Sequence, residues 1–443
     1  MDFFTLFPSL RSRNFRLFFL GQSISLIGTW MQITAVAWLV WRLSYNPVLL
    51  GMVGFVGRIP TFLLAPVAGV MVDRVNRYRL LLLTQMLAML QALALAALME
   101  MGLLTVWHVL ALSLLLGMIN AFDMPTRHAF FIHMVDQREH LANAIALNGA
   151  MVQLARLIGP TIAGLLIAAV GEGFCFLLNG LSYLAVLGSL LMMNIRPNTS
   201  PTSQQNLLQN LAEGFRYAFG FPPIRSLLFL LGLVSLSGAS YAQLLPIFAQ
   251  QVLQGDARTQ GFLLSASAVG ALAGSLYLAS RRTVRGLGRV QALAAALFGV
   301  GLILLGVSRW LWLSLAVMPL IGLGMILQIG GTNILLQTIV EEDKRGRVMS
   351  LYSMAWMGMD PLGSLLAGML AHLMGAPGVV ILGGICCMVG AGDFARRLPF
   401  LRKLLYPIYI RQGIIVPASP EWVAPIASTR NSEESSPPPA DKN

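Results

Sequence analysis

The chain has 443 residues, of which 56% are hydrophobic and only 11% are charged, and its formal net charge is +12. About a quarter of the residues of a soluble globular domain are charged, so this composition excludes a soluble domain and indicates an integral membrane protein. The basic residues lie in short loops between apolar segments rather than in one soluble patch, which argues against a nucleic-acid partner.

Twelve apolar segments follow one another along the chain, most of them close to the length of a transmembrane helix. Such a helix needs about 20 residues to cross the hydrocarbon core of a bilayer. The first segment is too long for the core of a signal peptide and no small-residue cleavage site follows it, so we expect it to remain as a helix. The predicted spans are about 16–41, 48–72, 80–101, 104–122, 141–170 and 174–193, and then 226–252, 259–280, 287–307, 311–335, 348–373 and 379–394.

Lysine and arginine concentrate in one alternating set of loops and near both ends of the chain. The other set of loops contains only Arg42, Arg258 and Arg309. Because basic residues accumulate on the cytoplasmic side of membrane proteins, both termini are predicted to be cytoplasmic.

A polar segment at residues 195–225 separates the sixth span from the seventh. Its second part places leucine and phenylalanine at helical spacing, which predicts an amphipathic helix that lies on the membrane surface and tethers two domains. The predicted fold is an all-α membrane protein of twelve transmembrane helices in two six-helix bundles, residues 1–194 and 226–395. Residues 396–443 are predicted to form a cytoplasmic tail that is basic at first and disordered after Gln412.

The fifth span contains an arginine and a Gly-Pro step within Leu154-Ala155-Arg156-Leu157-Ile158-Gly159-Pro160-Thr161-Ile162-Ala163-Gly164. A guanidinium in the middle of a membrane-length helix costs at least about 2–3 kcal/mol to insert, so it must face a cavity, water or a counter-charge. A register shift of 204 residues superimposes this stretch on a second one, which predicts a duplicated chain and makes Asp360 a candidate counter-charge. The shift pairs Arg156 with Asp360, Gly159 with Gly363 and Gly164 with Gly368.

The loop between the second and third spans reads Gly69-Val70-Met71-Val72-Asp73-Arg74-Val75-Asn76-Arg77-Tyr78-Arg79. It resembles the signature of the major facilitator superfamily, which places a glycine, three residues, Asp-Arg, two residues and an arginine in this same loop. The resemblance implies a cytoplasmic gate, in which the glycine admits a helix of the other half and the charged residues form a cluster. An ordinary positively charged loop would explain the arginines but neither Gly69 nor Asp73. The gate residues are Gly69, Asp73, Arg74 and Arg77.

Four further stretches resemble the bacterial exporter branch of this superfamily, which includes the enterobactin exporter and related drug-efflux proteins. They are Gly28-Thr29-Trp30-Met31-Gln32, Asp123-Met124-Pro125-Thr126-Arg127 after the fourth span, Glu213-Gly214-Phe215-Arg216-Tyr217 and Arg345-Gly346-Arg347-Val348-Met349-Ser350-Leu351-Tyr352. The resemblance covers roughly residues 10–393 and implies two bundles of inverted repeats around a midplane cavity, with alternating access by rocking of the halves. Gly159, Pro160 and Gly164 resemble the antiporter motif of span five, which implies a bent and closely packed helix.

Two departures from the branch leave proton coupling open. Its proton-coupled members commonly carry an arginine in the fourth span and often an acid in the first. Here the fourth span has no basic residue except His108 near its outer end, and the first span offers only Gln22 and Gln32.

Three ionisable residues lie at membrane depth, namely Arg58, Arg156 and Asp360. A lone acid that faces arginines can take up and release a proton as a cavity opens to each side, so we assign these residues to coupling or substrate contact. The implied architecture brings the second span beside the eleventh, so Arg58 is as plausible a partner for Asp360 as Arg156 is, and the sequence does not decide between them. The alternative is a salt bridge that only holds the halves together.

Polar and aromatic residues of the first and seventh spans are candidates for the cavity wall, because these spans line the pathway in the superfamily. Two amides of the fifth span join them, since a polar amide in hydrocarbon needs a partner. The candidates are Trp30, Gln32, Asn148, Gln153, Tyr241 and Gln243. For any one of them, packing or lipid contact is the competing interpretation. The five histidines show no metal-ligand spacing within a span, and we expect neither a metal nor another cofactor.

These patterns predict a secondary transporter of the bacterial cytoplasmic membrane rather than an enzyme. We expect it to export a small amphipathic molecule, of the drug or siderophore type, in exchange for protons. No Gly-rich Lys-Ser/Thr loop is present to bind ATP. The alternatives are import, flipping of a lysophospholipid, or a membrane sensor or scaffold that does not transport. The expected partners are the substrate, protons and the lipid bilayer, the chain is expected to act as a monomer, and the fold does not fix which ligand is carried.

Overall fold

The computed structural model describes residues 7–131, 134, 137–193, 207–281 and 283–414, and within these ranges every regular element is helical. The first half contains α1 (Arg13–Ser44), α2 (Pro47–Arg74), α3 (Arg77–Glu100), α4 (Val106–Phe131), α5 (Leu141–Val170) and α6 (Glu172–Leu191). After α7 (Leu207–Gly220), the second half contains α8 (Pro222–Val252), α9 (Ala257–Ser280), α10 (Leu287–Val307), α11 (Leu311–Ile339) and α12 (Glu342–Arg411). Among the described residues, eleven helices are long and apolar enough to cross a membrane, and these are all of the above except α7.

The last helix, α12, is interrupted at Gly375, whose φ of 76° and ψ of 157° are not helical. Glycine adopts such positive φ values without the steric cost that a Cβ would bring. The interruption lies in the gap that the sequence predicts between its last two spans, residues 348–373 and 379–394. Beyond it, α12 continues past Phe394 into the basic segment and ends at Arg411.

Contacts at the helix ends define two faces of the molecule. Ser12 Oγ donates to Met134 O at 2.7 Å, next to the start of α1, and Tyr78 Oη near the start of α3 donates to Leu190 O at the end of α6 at 3.1 Å. We call this end of the bundle the terminal face. At the other end, which we call the opposite face, Arg42 of α1 forms an ion pair with Glu172 of α6 at 2.8 Å.

Two helix pairs make the main contacts between the halves. Helix α5 packs against α9, and the part of α12 before Gly375 packs against α2. Helix α7 lies against the second half, because Glu213 pairs with Arg347 of α12 at 2.8 Å and the Lys344 ammonium lies 4.8 Å from the centre of the Tyr217 ring. Residues 195–206 of the predicted linker and 415–443 of the predicted tail lie outside the described residues.

Three π-helical turns interrupt the regular helices of the second half. Two lie in α8, at Ser235–Ala239 and Phe248–Val252, and one lies in α12 at Met354–Gly358. Such turns are rare and frequently occur at functional sites. The turn in α12 ends directly before Met359 and Asp360.

Candidate functional site

An ion pair joins the two halves near the middle of the bundle. Nη1 of Arg58 in α2 lies 2.6 Å from Oδ2 of Asp360 in α12. With a rise of 1.5 Å per residue, Arg58 is about 16 Å along α2 from its start at the opposite face, which is roughly half the thickness of a hydrocarbon core. The Asp360 side chain retains 18% of its accessible surface, so its neighbours do not enclose it completely.

Arg156 is not the partner of Asp360 in this structure, although the sequence leaves both arginines open. Its guanidinium lies 5.6 Å from the centre of the Trp30 ring in α1, a cation–π contact. Among the described residues, no carboxylate lies within ion-pair distance of Arg156, and its electrostatic neighbours are Tyr241 and Arg58. The geometry therefore places two arginines and one aspartate at the boundary between the halves.

Side-chain hydrogen bonds close the boundary between mid-depth and the opposite face. Trp41 Nε1 donates to Gln250 Oε1 at 2.7 Å, which ties the end of α1 to the end of α8. Gln243 Nε2 of α8 donates to Leu50 O of α2 at 3.0 Å. Gln243 is thus a contact between the halves in this conformation rather than part of an open wall.

The second boundary, between α5 and α9, is also hydrogen-bonded. Gln153 Nε2 donates to Ser275 Oγ at 3.0 Å, and Thr161 Oγ1 donates to Ser265 Oγ at 2.7 Å. Ser265 Oγ in turn donates to Leu157 O at 2.6 Å. Gln153, which the sequence marks as a polar amide in need of a partner, has one in the other half.

Glycines bring the backbones of the two halves into direct contact toward the opposite face. A Cβ built on Gly164 of α5 would lie 2.6 Å from Ala257 O, and one on Gly261 of α9 would lie 2.4 Å from Pro160 O. On the other side, a Cβ on Gly368 of α12 would lie 2.6 Å from Pro47 O and 2.9 Å from Gly51 Cα. Without a hydrophobic driving force between helices in lipid, such close backbone packing is a main source of helix association. We call these two contacts the glycine crossings.

The internal repeat has a geometric counterpart. Gly159 packs on α1, where a Cβ would lie 2.6 Å from Trp30 Cβ, and its equivalent Gly363 packs on α8, where a Cβ would lie 2.3 Å from Leu236 O. Gly164 and its equivalent Gly368 both pack on a helix of the other half. The 204-residue shift therefore pairs glycines with the same structural role. Pro160 lies inside α5, which remains helical through it.

The terminal face contrasts with this closed region. In the described part of the chain, no heavy atom of a neighbouring element lies within 4 Å of a Cβ built on Gly69 of α2 or on Gly149 of α5. Arg74 is exposed and Arg77 is half-buried, while the side chain of Asp73 lies outside the described part of the structure. The gate at Gly69 is therefore not closed in this conformation. The gating role of its residues remains a prediction from the motif.

The structure places two predicted cavity residues elsewhere. Gln32 is 3% exposed inside the first half, where its Nε2 donates to Gln91 Oε1 at 3.0 Å and its Oε1 accepts from Asn179 Nδ2 at 2.6 Å. Tyr241 is likewise 3% exposed, and its hydroxyl lies 2.9 Å from Ser267 Oγ within the second half. Both are predicted as cavity residues because the first and seventh spans line the pathway in the superfamily. In this conformation their polar atoms have packing partners within one half. Trp30 and Asn148 are half-buried.

The buried amide cluster around Gln32 gives a stability prediction. Asn179→Leu is expected to lower the free energy of unfolding by about 1–2 kcal/mol, because Gln32 Oε1 loses its donor in an apolar interior. Reversible unfolding in mixed detergent micelles measures the effect. The matched control is Gln337→Leu at an exposed position, for which a change below about 0.5 kcal/mol is expected. Equal stability of the Asn179→Leu variant and the unsubstituted protein would contradict the assignment.

Asp123 is a buried carboxylate inside α4, although the sequence predicts that it follows the end of the fourth span. The predicted fourth span ends at residue 122, whereas α4 continues through Asp123 and Pro125 to Phe131. Asp123 is 2% exposed, accepts hydrogen bonds from Thr84 Oγ1 at 2.8 Å and Gln85 Nε2 at 2.6 Å, and pairs with Arg127. Three donors satisfy the carboxylate inside the bundle, and a proline is tolerated in a membrane helix whose neighbours satisfy the freed groups. The spacing of Asp123 and Arg127, four residues apart, is the signal that indicates a continued helix.

The sequence matches one family model and is similar to several characterised transporters. A family model described as transmembrane secretion effector matches residues 4–402. The chain is 26% identical to the staphyloferrin A transporter of Staphylococcus aureus over 362 residues, which cover 81% of this chain and 89% of the relative. It is 25% identical to the multidrug efflux pump Tap of Mycolicibacterium fortuitum over 393 residues, 85% of this chain and 93% of the pump. It is 28% identical to the enterobactin exporter EntS of Escherichia coli over 381 residues, 81% of this chain and 86% of the exporter.

The fold of this chain also resembles the folds of solved transporter structures. A bacterial homolog of the human lysosomal transporter Spinster, crystallised in an inward-facing and unoccupied conformation, superimposes with a TM-score of 0.66 at 15% identity. The match covers 92% of this chain and 99% of that structure. At this identity the likeness establishes the fold alone.

Proposed function

The chain belongs to the transmembrane secretion effector family of major facilitator transporters, and from this premise we propose that it exports a small amphipathic molecule in exchange for protons. The ion pair between Arg58 and Asp360 carries the proposal, because its carboxylate lies between the halves at mid-depth and is not fully enclosed. An acid at this depth is costly to insert and is usually tied to transport or proton relay.

The membrane topology is part of the proposal. The interruption at Gly375 supports two crossings within α12, since residues 342–374 and 376–411 each exceed the roughly 20 residues that one crossing needs. This gives twelve spans in two six-helix bundles, residues 1–194 and 226–395, with residues 195–225 as the linker and 396–443 as the tail. The arginine-rich loops of the terminal face support a cytoplasmic location of both termini in a bacterial cytoplasmic membrane, and the protein is proposed to act as a monomer.

The proton cycle follows from the ion pair. Asp360 cannot bind a proton without giving up its pairing with Arg58, and the loss of this contact weakens the boundary between α2 and α12. In the proposed cycle, Asp360 takes a proton from water on the opposite face. It returns the proton to water on the terminal face when the ion pair forms again. A substrate molecule bound from the terminal face then separates the pair in place of the proton and moves in the other direction.

The substrate class rests on the relatives and on the boundary residues. The relatives are named for siderophores and for multidrug efflux. Trp30 and Arg156 meet at the boundary between the halves, where they offer an aromatic face and a positive charge without a described carboxylate partner. Such a pair suits an amphipathic molecule with aromatic and anionic groups.

Proteoliposomes with an imposed pH gradient test the proposal. Internal pH is followed while a panel of dyes, drugs and catechol siderophores is added to each side in turn. Proton movement that depends on one of these ligands, in the direction opposite to the ligand, is the expected result. Proton movement in the same direction would indicate import, and silence across the panel from folded protein would overturn proton-coupled export.

The proposed gate of the terminal face gives a separate prediction. Asp73→Ala is expected to reduce turnover at least about tenfold and to change the Kd of the ligand less than about twofold, because the charge cluster forms only when this face closes. Transport rates and equilibrium binding in the same preparation measure the two effects. The control is Glu342→Ala, which removes an exposed acid from the same face. Unchanged turnover in the Asp73→Ala variant would reduce the motif to a topological signal.

A further inference from the structure

A cavity of about 340 Å³ lies at the terminal face of the second half. It is enclosed by the start of α8, the connection between α9 and α10, the end of α11 and the last part of α12. Leu398 of α12 lies 3.0 Å from a Cβ built on Gly288, and Gln412 Nε2, directly after α12, donates to Thr338 O at 2.6 Å. The last part of α12 therefore runs across the ends of α10 and α11 and covers the cavity.

The lining of this cavity has two chemical parts. Leucine, isoleucine, valine, proline and phenylalanine side chains, with Tyr406 and Tyr409, form most of its wall. Three arginines, Arg285, Arg289 and Arg402, are exposed at its mouth, and none of the residues that line it is acidic. A long apolar wall beside a group of guanidinium groups matches a ligand that has an apolar chain and an anionic head.

Three other arginines of the same face are paired with carboxylates. Arg347, Arg345 and Arg397 each have a carboxylate within ion-pair distance, on Glu213, Glu342 and Asp393 respectively. Among the described residues, no carboxylate lies within 4.0 Å of Arg285, Arg289 or Arg402. Their positive charge is thus available to an external anion.

We propose that this cavity binds an anionic glycerophospholipid, with its phosphate on the three arginines and one acyl chain along the apolar wall. The cavity lies where α9 ends at Ser280 and α10 begins at Leu287. In the proposed topology this level is the membrane boundary, at the depth of phospholipid headgroups. Tyr406 and Tyr409 suit that depth, since tyrosine is enriched at membrane interfaces. Basic pockets between membrane helices bind anionic lipid headgroups in this way. The site is separate from the proposed transport site, because neither Asp360 nor either mid-depth arginine lines it.

Binding of short-chain lipids to the delipidated full chain in detergent tests the proposal. The probes are dihexanoyl and dioctanoyl phosphatidylglycerol, dioctanoyl phosphatidylcholine and inorganic phosphate, and the readout is the Kd from the intrinsic fluorescence. We expect dioctanoyl phosphatidylglycerol to bind most tightly, the shorter chain more weakly, and phosphatidylcholine and phosphate not measurably. Arg285→Gln, Arg289→Gln and Arg402→Gln together should weaken binding about a hundredfold, at about fivefold for each arginine.

A matched variant controls for net charge. Arg13→Gln, Arg396→Gln and Lys403→Gln together remove three exposed positive charges outside the cavity and should leave the Kd within about threefold. Equal effects of the two triple variants, equal binding of the anionic and zwitterionic lipids, or equal binding of phosphate and lipid would each overturn the proposal. So would lipid binding that appears only after deletion of residues 415–443, because the occupant would then be the chain's own tail.

Discussion

Replacing Asp360 with asparagine is expected to reduce transport driven by a pH gradient to the level of protein-free liposomes. Asparagine has nearly the same shape as aspartate, but its amide carries no titratable proton. The substitution also removes the ion pair with Arg58 at 2.6 Å. The variant is expected to fold and insert, since the loss of one ion pair whose arginine is half exposed costs little compared with the whole fold. Uptake and release in proteoliposomes, with and without the gradient, measure the effect.

Asp393→Asn is the matched control for this prediction. Asp393 also lies in α12 and pairs with an arginine, Arg397, at 3.0 Å, but both side chains are about half exposed near the end of the bundle. Normal gradient-driven flux is expected in this control. If the Asp360→Asn variant retained gradient-driven flux, Asp360 would be only a structural partner of Arg58. If the Asp360→Asn variant lost both flux and thermal stability, Asp360 would likewise be a structural residue rather than a proton carrier.

Gly368→Leu is expected to disfavour closure of the opposite face. A Cβ at this position meets Pro47 O at 2.6 Å and Gly51 Cα at 2.9 Å, and these backbone atoms cannot move without separating α12 from α2. Overpacking of this kind costs about 1–3 kcal/mol, which shifts the ratio of closed to open molecules about 5- to 150-fold toward the state open at the opposite face. Transport should fall by a similar factor, because the cycle requires both states.

Labelling rates of a single cysteine near the opposite face would report the shift. The control is Gly392→Leu in the same helix, where no described heavy atom lies within 4 Å of a Cβ, and this variant should resemble the unsubstituted protein. Gly164→Leu, at the equivalent crossing of the repeat, should act as Gly368→Leu does. Full transport in either crossing variant would contradict the role of the glycine crossings.

The sequence predicts the helices well because apolar length alone marks a membrane span. The internal repeat also predicts packing roles. Gly159 and Gly363 each pack within their own half, and Gly164 and Gly368 each pack against the other half. The repeat does not predict which helix each glycine contacts, because that depends on how the halves meet. The limit is clearest at α4, where Asp123 and Pro125 suggest a helix end but buried donors allow the helix to continue.

The candidate site could be predicted only in part. Hydropathy isolates Arg58, Arg156 and Asp360, yet Arg58 and Asp360 are 302 positions apart and their pairing depends on the crossing of α2 and α12. Polar residues in apolar spans raise a different difficulty. Gln32 and Gln243 are both amides at comparable depth, but one is satisfied inside the first half and the other bridges the halves. A sequence pattern does not distinguish a cavity wall from a packed interface, since both place amides among apolar residues.

The central claim is that protonation of Asp360 allows the molecule to alternate between openings at its two faces. Double electron–electron resonance measures the distance between two spin-labelled cysteines and tests this claim most directly. The labels are placed in a protein that lacks the three native cysteines. One pair, at Leu103 and Trp310, spans the halves at the opposite face, and the other, at Arg79 and Glu342, spans them at the terminal face. When the pH is lowered from about 8 to about 4, close to the ordinary pKa of an aspartate side chain, the first distance should gain a longer component and the second a shorter one. With Asp360→Asn, both labelled pairs should show these components at both pH values. If the distances in the protein that retains Asp360 did not change with pH, the account would be contradicted.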